Sequence, residues 1–336
     1  MPHSDSGRSR TGKSGNYTGR RLEEGSIDMS KAVFAFDHDG NVHTHDIGQD
    51  YLLDVLSFGS PQEFIDAVEE LRDGSRTPES HVYNGENYSE GEELGIFLAE
   101  HEVPRGEVRG RAEGDGFREA APEFINDILE YGGTPFIISA GDQDFLEEFY
   151  GSHGKVNGEG VEVVGTKQQW KENGGGEPLA SGILEGNGKE KKPQRFQEAA
   201  YEKGLPLDRP VIASGDSEGD RELFRYAQEN GGIAIGTGGD ASPYTDVVVE
   251  GDGWYGQIAS SLGFIGMMEG LDRSTIVEET ASYLSDIGYE GGEVDVYPGG
   301  VERLATPHEE YEDIKLGEET AEIAEEALDD AYNDVR

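Results

Sequence analysis

The sequence predicts a doubly wound parallel α/β sheet with a helical segment inserted into it. Four short continuous apolar runs, AVFAF (32–36), TPFIIS (134–139), PVIAS (210–214) and GIAIG (232–236), have the length and unbroken hydrophobicity of strands buried on both faces. Each is followed by a Gly/Asp/Ser turn and then by helical periodicity, the alternation that builds parallel sheets. At 336 residues the chain is long enough for one large domain carrying a second.

Taken in order, residues 1–29 are rich in Gly, Ser and Arg, have almost no apolar side chain to pack, and are expected to form a disordered tail. A core is expected over 30–46 and 118–265. Between them, over 47–117, the pattern turns helical without a convincing strand, as in PQEFIDAVEELRDG (61–74) and EELGIFLAEHEV (92–103). Ser60 is a good N-cap and Pro61 a good first helical residue. The segment is too long for an ordinary loop and reads as a helical cap, with Phe58, Tyr83, Tyr88 and Phe97 as its core. Residues 155–189 are Gly-rich with short alternating pieces (VEVVGT, PLASGILEG) and predict hairpins beside the sheet. Residues 266–336 read as an acidic, mostly helical extension. It is interrupted by an irregular piece with YPGG (297–300) and closed by a helix over 317–335, whose Ile323, Ala327, Leu328 and Tyr332 fall at helical spacing.

Charge narrows the function classes. Against 71 Asp+Glu stand 27 Lys+Arg, a net −44, and such self-repulsion is tolerable where molar salt shortens the Debye length to about 3 Å. The acidity reads as a halophile's solvation strategy. No basic stripe exists to release counterions from nucleic acid. The absence of cysteine removes disulfide and thiolate chemistry. No apolar run approaches the roughly 20 residues needed to span a bilayer. The pair Arg20-Arg21 is followed by Leu22-Glu23-Glu24-Gly25 rather than an apolar stretch, so export is not expected and the cytoplasm is.

Four pieces stand where predicted strands end, the edge at which open parallel sheets bind ligands. In FAFDHDGNV, Asp37 and Asp39 can share one cation and one phosphoryl group, one acid attacking phosphorus and the other protonating the leaving alkoxide. In FIISAGDQDF, the Ser139 hydroxyl and the Gly141 amide suit phosphate oxygens, the competing reading being an ordinary N-cap serine. In KEKKPQRFQEAA, Lys192 before Pro193 would neutralise phosphoryl charge at a helix start, with Lys191 as the competing lysine. In VIASGDSEGDRELF, Asp216 and Asp220 are hard oxygen ligands suited to Mg²⁺.

The order DxDG, Ser, Lys, GDSxxD resembles the four motifs of the haloacid dehalogenase superfamily, over about Lys31 to Asp252. The helical insertion and the passage from Val163 to Gly186 resemble its phosphoserine-phosphatase-like branch. The resemblance implies Asp37 as nucleophile and Asp39 as acid and base, with Ser139 and Lys192 on the phosphoryl group. It places Asp216 on Mg²⁺ with Asp37 and the Asp39 carbonyl, and Asp220 on the metal or behind it. Asn41 departs from the Thr or Ser usual after DxDG.

The expected activity is hydrolysis of a small phosphorylated metabolite. Asp39 argues against a dehalogenase, which lacks the second acid. A phosphomutase and a non-catalytic binding protein of the same fold are the alternatives. A rival metal site begins at HTHD (43–46), where His43 and His45 could ligate Zn²⁺ or Mn²⁺ or simply flank the entrance. Among the cap cations Arg72, Arg105, Arg109 and Arg111, Arg109 or Arg111 is expected to face substrate. Oligomeric state is not legible.

Overall fold

The computed structural model describes residues 27–47, 52–78, 91–112, 116–174, 176–206, 209–237, 240–249, 254–289, 292–295 and 301–304. The four apolar runs become β1 (Val33–Phe36), β2 (Pro135–Asp142), β5 (Val211–Gly215) and β6 (Ile233–Gly236), and β3 (Glu162–Lys171), β4 (Leu179–Glu185) and β7 (Val247–Val248) complete one sheet in the order β4-β3-β2-β1-β5-β6-β7. All neighbours are parallel except β3 and β4. The expected hairpin is therefore part of the sheet rather than beside it: β3 pairs with β2 and β4 closes the edge.

β1 lies at the centre, and its alternation serves two cores. Phe34 and Phe36 face one apolar cluster with Ile137, Ile212, Phe124 and Trp254. Val33 and Ala35 face the other with Phe136, Ile138, Phe196 and Leu223. The helices α4 (Ala121–Glu130), α5 (Gln143–Ser152), α6 (Lys192–Glu202), α7 (Arg221–Glu229), α8 (Tyr255–Met268) and α9 (Arg273–Asp286) are shared between the two faces, the doubly wound arrangement that the sequence predicts.

The expected cap range holds α1 (Pro61–Arg72), α2 (Glu93–Glu100) and α3 (Arg105–Gly110). α1 starts as predicted: the Ser60 hydroxyl accepts from Glu63 N and Pro61 opens the first turn. Phe58, Phe64 and Phe97 pack edge to face, while Tyr83 and Tyr88 lie outside the described residues. α2 is buried from Glu93 to Ala99 because it rests on the β3–β4 hairpin, where Gln168 Nε2 donates to Gly95 O at 3.1 Å. A Cβ at Gly95 would lie 2.7 Å from that nitrogen, so a larger residue there would displace the Gln168 amide.

Two expected boundaries shift. Ile27 and Met29, placed in the tail, are buried, and residues 1–26 lie outside the described residues. The line after residue 265 falls inside α8, which continues to Met268 and packs with α9. Trp254 meets Phe36 at 4.8 Å, and Tyr283 of α9 donates to Asp127 of α4. Where the extension was read as irregular, β8 (Gly292–Asp295) and β9 (Val301–Leu304) form an antiparallel pair. YPGG and the helix expected over 317–335 lie outside the described residues.

Candidate active site

The loops leaving β1, β2 and β5, together with the start of α6, converge on a cleft of about 720 Å³. Its lining includes Asp37, Asp39, Ser139, Lys192 and Asp216, with His45, Asp46, Arg72, Lys189, Glu218, Asp240 and Tyr244 toward the rim.

Asp37 follows the last residue of β1, and its amide continues the ladder by donating to Ser214 O at 2.8 Å. Its carboxylate is buried and accepts from Lys192 Nζ at 2.8 Å; the same ammonium donates to Asp220 Oδ1 at 2.5 Å. Lys192, not Lys191, is thus the lysine at Asp37, since Lys191 points back to Glu92 of the cap segment at 2.6 Å. Burial works against the charge on Lys192, but Asp220 and Asp37 outweigh it and raise its pKa.

Asp220 is fully buried, with Oδ1 on Lys192 and Oδ2 taking the Ser217 amide in a capping box. Asp216 keeps its carboxylate on the cleft lining. Oxygens of Asp37, Asp216 and Asp220 lie within 4.8 Å of one another, and among the described residues no other group of three acids or histidines meets that test. Burial, then Asp220, push Asp216 up to about 6. Burial and the neighbouring acids Asp220 and Asp216 likewise raise Asp37. With Asp39 added, four carboxyls surround one ammonium. Hard oxygen donors carrying excess negative charge in a half-dry cleft fit a divalent cation such as Mg²⁺.

Asp39 stands apart from that trio. Its Oδ1 accepts from Ile47 N at 2.9 Å and its Oδ2 from the Ser139 hydroxyl at 3.4 Å. Burial first, then Asp46 and Asp37, raise its pKa well above the carboxylate range, which favours the protonated form that a general acid needs. The intervening loop is fixed from behind: Gly40, at φ +69°, offers its carbonyl to Arg118 Nη2 at 2.7 Å.

One competing reading is set aside and two expectations are corrected. Ser139 is not an N-cap, because β2 runs on to Asp142, whose carboxylate caps α5 by accepting from Phe145 N. The Gly141 amide, expected on a phosphate oxygen, donates to Ser139 Oγ at 3.0 Å. Arg109 and Arg111 are absent from the cleft lining. α3 packs on α5, so Arg109 reaches Glu148 at 2.8 Å, and Arg111 reaches Asp54 at 3.5 Å. The cap cation on the cleft is Arg72, which also bonds Glu93 at 2.7 Å.

The histidines divide. His45 lines the cleft, whereas His43 is buried, stacked on His38 at 5.1 Å, with Nδ1 accepting from His45 N. His38 shares a 3.0 Å hydrogen bond with the Tyr150 hydroxyl. No metal group among the described residues includes either member of HxH. Arg118, Tyr150 and Glu92 carry no local motif that would have singled them out.

No protein-family model and no curated protein sequence matches the chain. Solved structures do. The gene product AF1437 of Archaeoglobus fulgidus is similar over 77% of this chain and 97% of that one, at 18% identity and a TM-score of 0.52. A phospho-aspartyl intermediate analogue of phosphoserine phosphatase aligns with 72% of this chain and 100% of its own, at 16% identity and a TM-score of 0.47. A HAD-family hydrolase of Salmonella enterica serovar Typhi, t0658, aligns with 61% of this chain and 62% of its own, at 15% identity and a TM-score of 0.45, so the chain spans less than two thirds of that protein. The fold is a doubly wound Rossmann-like sheet, similar to that of AF1437.

Proposed function

We propose that the chain is a Mg²⁺-dependent phosphatase that hydrolyses a small phosphomonoester through an aspartyl-phosphate on Asp37, at high salt. The observation that carries this reading is the meeting of Asp37, Lys192, Asp216 and Asp220 at one rim of the sheet, with Lys192 Nζ bridging two of the acids.

Lys192 occupies Asp37 Oδ1 and leaves Oδ2 to attack phosphorus. A bond forms from Asp37 oxygen to phosphorus, the ester P–O bond breaks, and the leaving alkoxide takes the Asp39 proton. Ionised Asp39 then removes a proton from water, whose oxygen displaces Asp37 and releases inorganic phosphate. Asp37 and Asp216 would hold Mg²⁺, with Asp220 behind them; when bound, the ion neutralises phosphoryl charge. Ser139 orients Asp39 from one side and the Ile47 amide from the other, which keeps the acid in place between the two steps.

The test is phosphate release from p-nitrophenyl phosphate in molar KCl, with Mg²⁺ or EDTA, for the wild type and Asp37→Asn. The expected result is Mg²⁺-dependent turnover that falls at least about 10³-fold in the variant. Turnover in EDTA, or full activity in Asp37→Asn, overturns the reading.

A further inference from the structure

We infer that Gln257, on α8 and far from the motifs in sequence, is a positioning residue that locks the loop carrying Asp37 and Asp39. Three buried polar side chains close a ring. Gln257 Nε2 donates to Asn41 Oδ1 at 2.8 Å, Asn41 Nδ2 donates to Ser214 Oγ at 2.7 Å, and the Ser214 hydroxyl donates to Gln257 Oε1 at 2.7 Å. Each bond fixes the direction of the next, so both amides have one orientation.

The ring is tied to the nucleophile's backbone on both sides. Asn41 Nδ2 lies 3.2 Å from Asp37 O, and Ser214 O accepts the Asp37 amide at 2.8 Å. The first residue before α8 adds a second tether, Trp254 Nε1 donating to Asn41 O at 3.1 Å. Asn41, Ser214 and Gln257 are at most 2% exposed, in surroundings that include Phe36 and Trp254. Polar groups in such a place stabilise less than apolar ones of the same shape. What the ring supplies is a single position for residues 37–41. Asn41 Oδ1 takes two donors, Gln257 Nε2 at 2.8 Å and the Thr237 hydroxyl at 3.4 Å, and the shorter bond comes from α8.

The catalytic consequence rests on the phosphatase reading, but the lock itself does not. Gln257→Met keeps the volume and removes the polar atoms; Ser214→Ala opens the same ring with a smaller change. Two measurements are made on each full-length variant: kcat and KM for p-nitrophenyl phosphate, and amide exchange of the peptide covering 38–43, whose Asn41 and His43 amides donate to His38 O. The expected result is a fall in kcat of about 10- to 100-fold with KM within about twofold, and exchange at least about tenfold faster in that peptide while β2 is unchanged. Asn41→Ala combined with Gln257→Met should be no slower than Asn41→Ala alone. Unchanged exchange and kcat in Gln257→Met, or additive losses in the double variant, overturn the lock. An inactive wild type would overturn the phosphatase reading instead, and amide exchange would then decide the lock alone.

Discussion

Two clefts in this molecule are built from similar residues and differ in how far their charges are buried. The smaller, about 390 Å³, lies between α5, β3 and α6 and is lined by Lys167, Arg195, Lys203, Glu147, Glu162, Glu185, Glu198 and Glu202. Its cations are matched across short gaps: Lys167 with Glu185, Arg195 with Glu185 and Glu198, Lys203 with Glu162. The larger cleft gathers Asp37, Asp39 and Asp216 around Lys192, with Asp220 behind, and leaves negative charge unmatched. Polarity alone would not separate the two. Unbalanced buried charge does, because burial raises the cost of every uncompensated carboxylate, which only a proton or a bound cation can offset.

That contrast can be broken most severely at Lys192. Lys192→Ala leaves Asp37 and Asp220 facing each other in a buried site, and a loss of about 3–5 kcal/mol in stability is expected by denaturant titration without added metal. Added Mg²⁺ should restore part of the loss, because a bound ion replaces the missing positive charge. A loss below about 1 kcal/mol would mean that the acids are already neutral and the charge argument is wrong.

A smaller effect tests whether burial alone drives carboxyl pKa values in this protein. Asp142 is buried beside α5 and pushed from 3.8 up to about 7, burial outweighing the Phe145 amide that it accepts. The folded chain therefore holds a proton there that the unfolded chain has lost. The contribution to stability is full below about 4 and disappears as the pH rises through 7. Asp142→Asn keeps a cap acceptor and removes the ionisation, so it should stabilise by roughly 1–3 kcal/mol above pH 7, with the gap closing as the pH falls toward 4. A gap independent of pH would contradict the assignment.

The smallest expected change lies in the second cleft. Lys203→Ala breaks an exposed pair with Glu162 and should cost less than about 1 kcal/mol, and less still in molar salt. Thermal melts of this variant beside Lys192→Ala measure the contrast directly.

How much of this was legible in the sequence depended on distance along the chain. The four strands showed as unbroken apolar runs because burial on both faces leaves no alternation to disguise them. Asp37, Asp39, Asp216 and Asp220 were legible because each pair sits within one turn of a strand end, where local sequence dictates geometry. Lys192 was separable from Lys191 only as a preference, since both begin the same helix, and Glu92 of the distant cap segment is what draws Lys191 away. The competing N-cap reading of Ser139 rested on the apolar run ending there, whereas β2 runs on to Asp142, which pairs with Thr166 of β3 across a register shift after Ile138. The cap arginines were misassigned for a similar reason: Glu148 and Asp54 become partners only once α3 lies on α5 and the chain before α1 folds back. Gln257 stands 216 residues from Asn41, and nothing near it hints at a ring that exists only in the folded chain.

The most direct measurement is mass spectrometry of the chain mixed with a phosphomonoester and Mg²⁺ in molar KCl and quenched in acid during turnover. The account predicts one phosphoryl group on the peptide containing Asp37, absent from Asp37→Asn. Turnover with no phosphoryl group on the chain, or with the group on a peptide lacking Asp37, would contradict it.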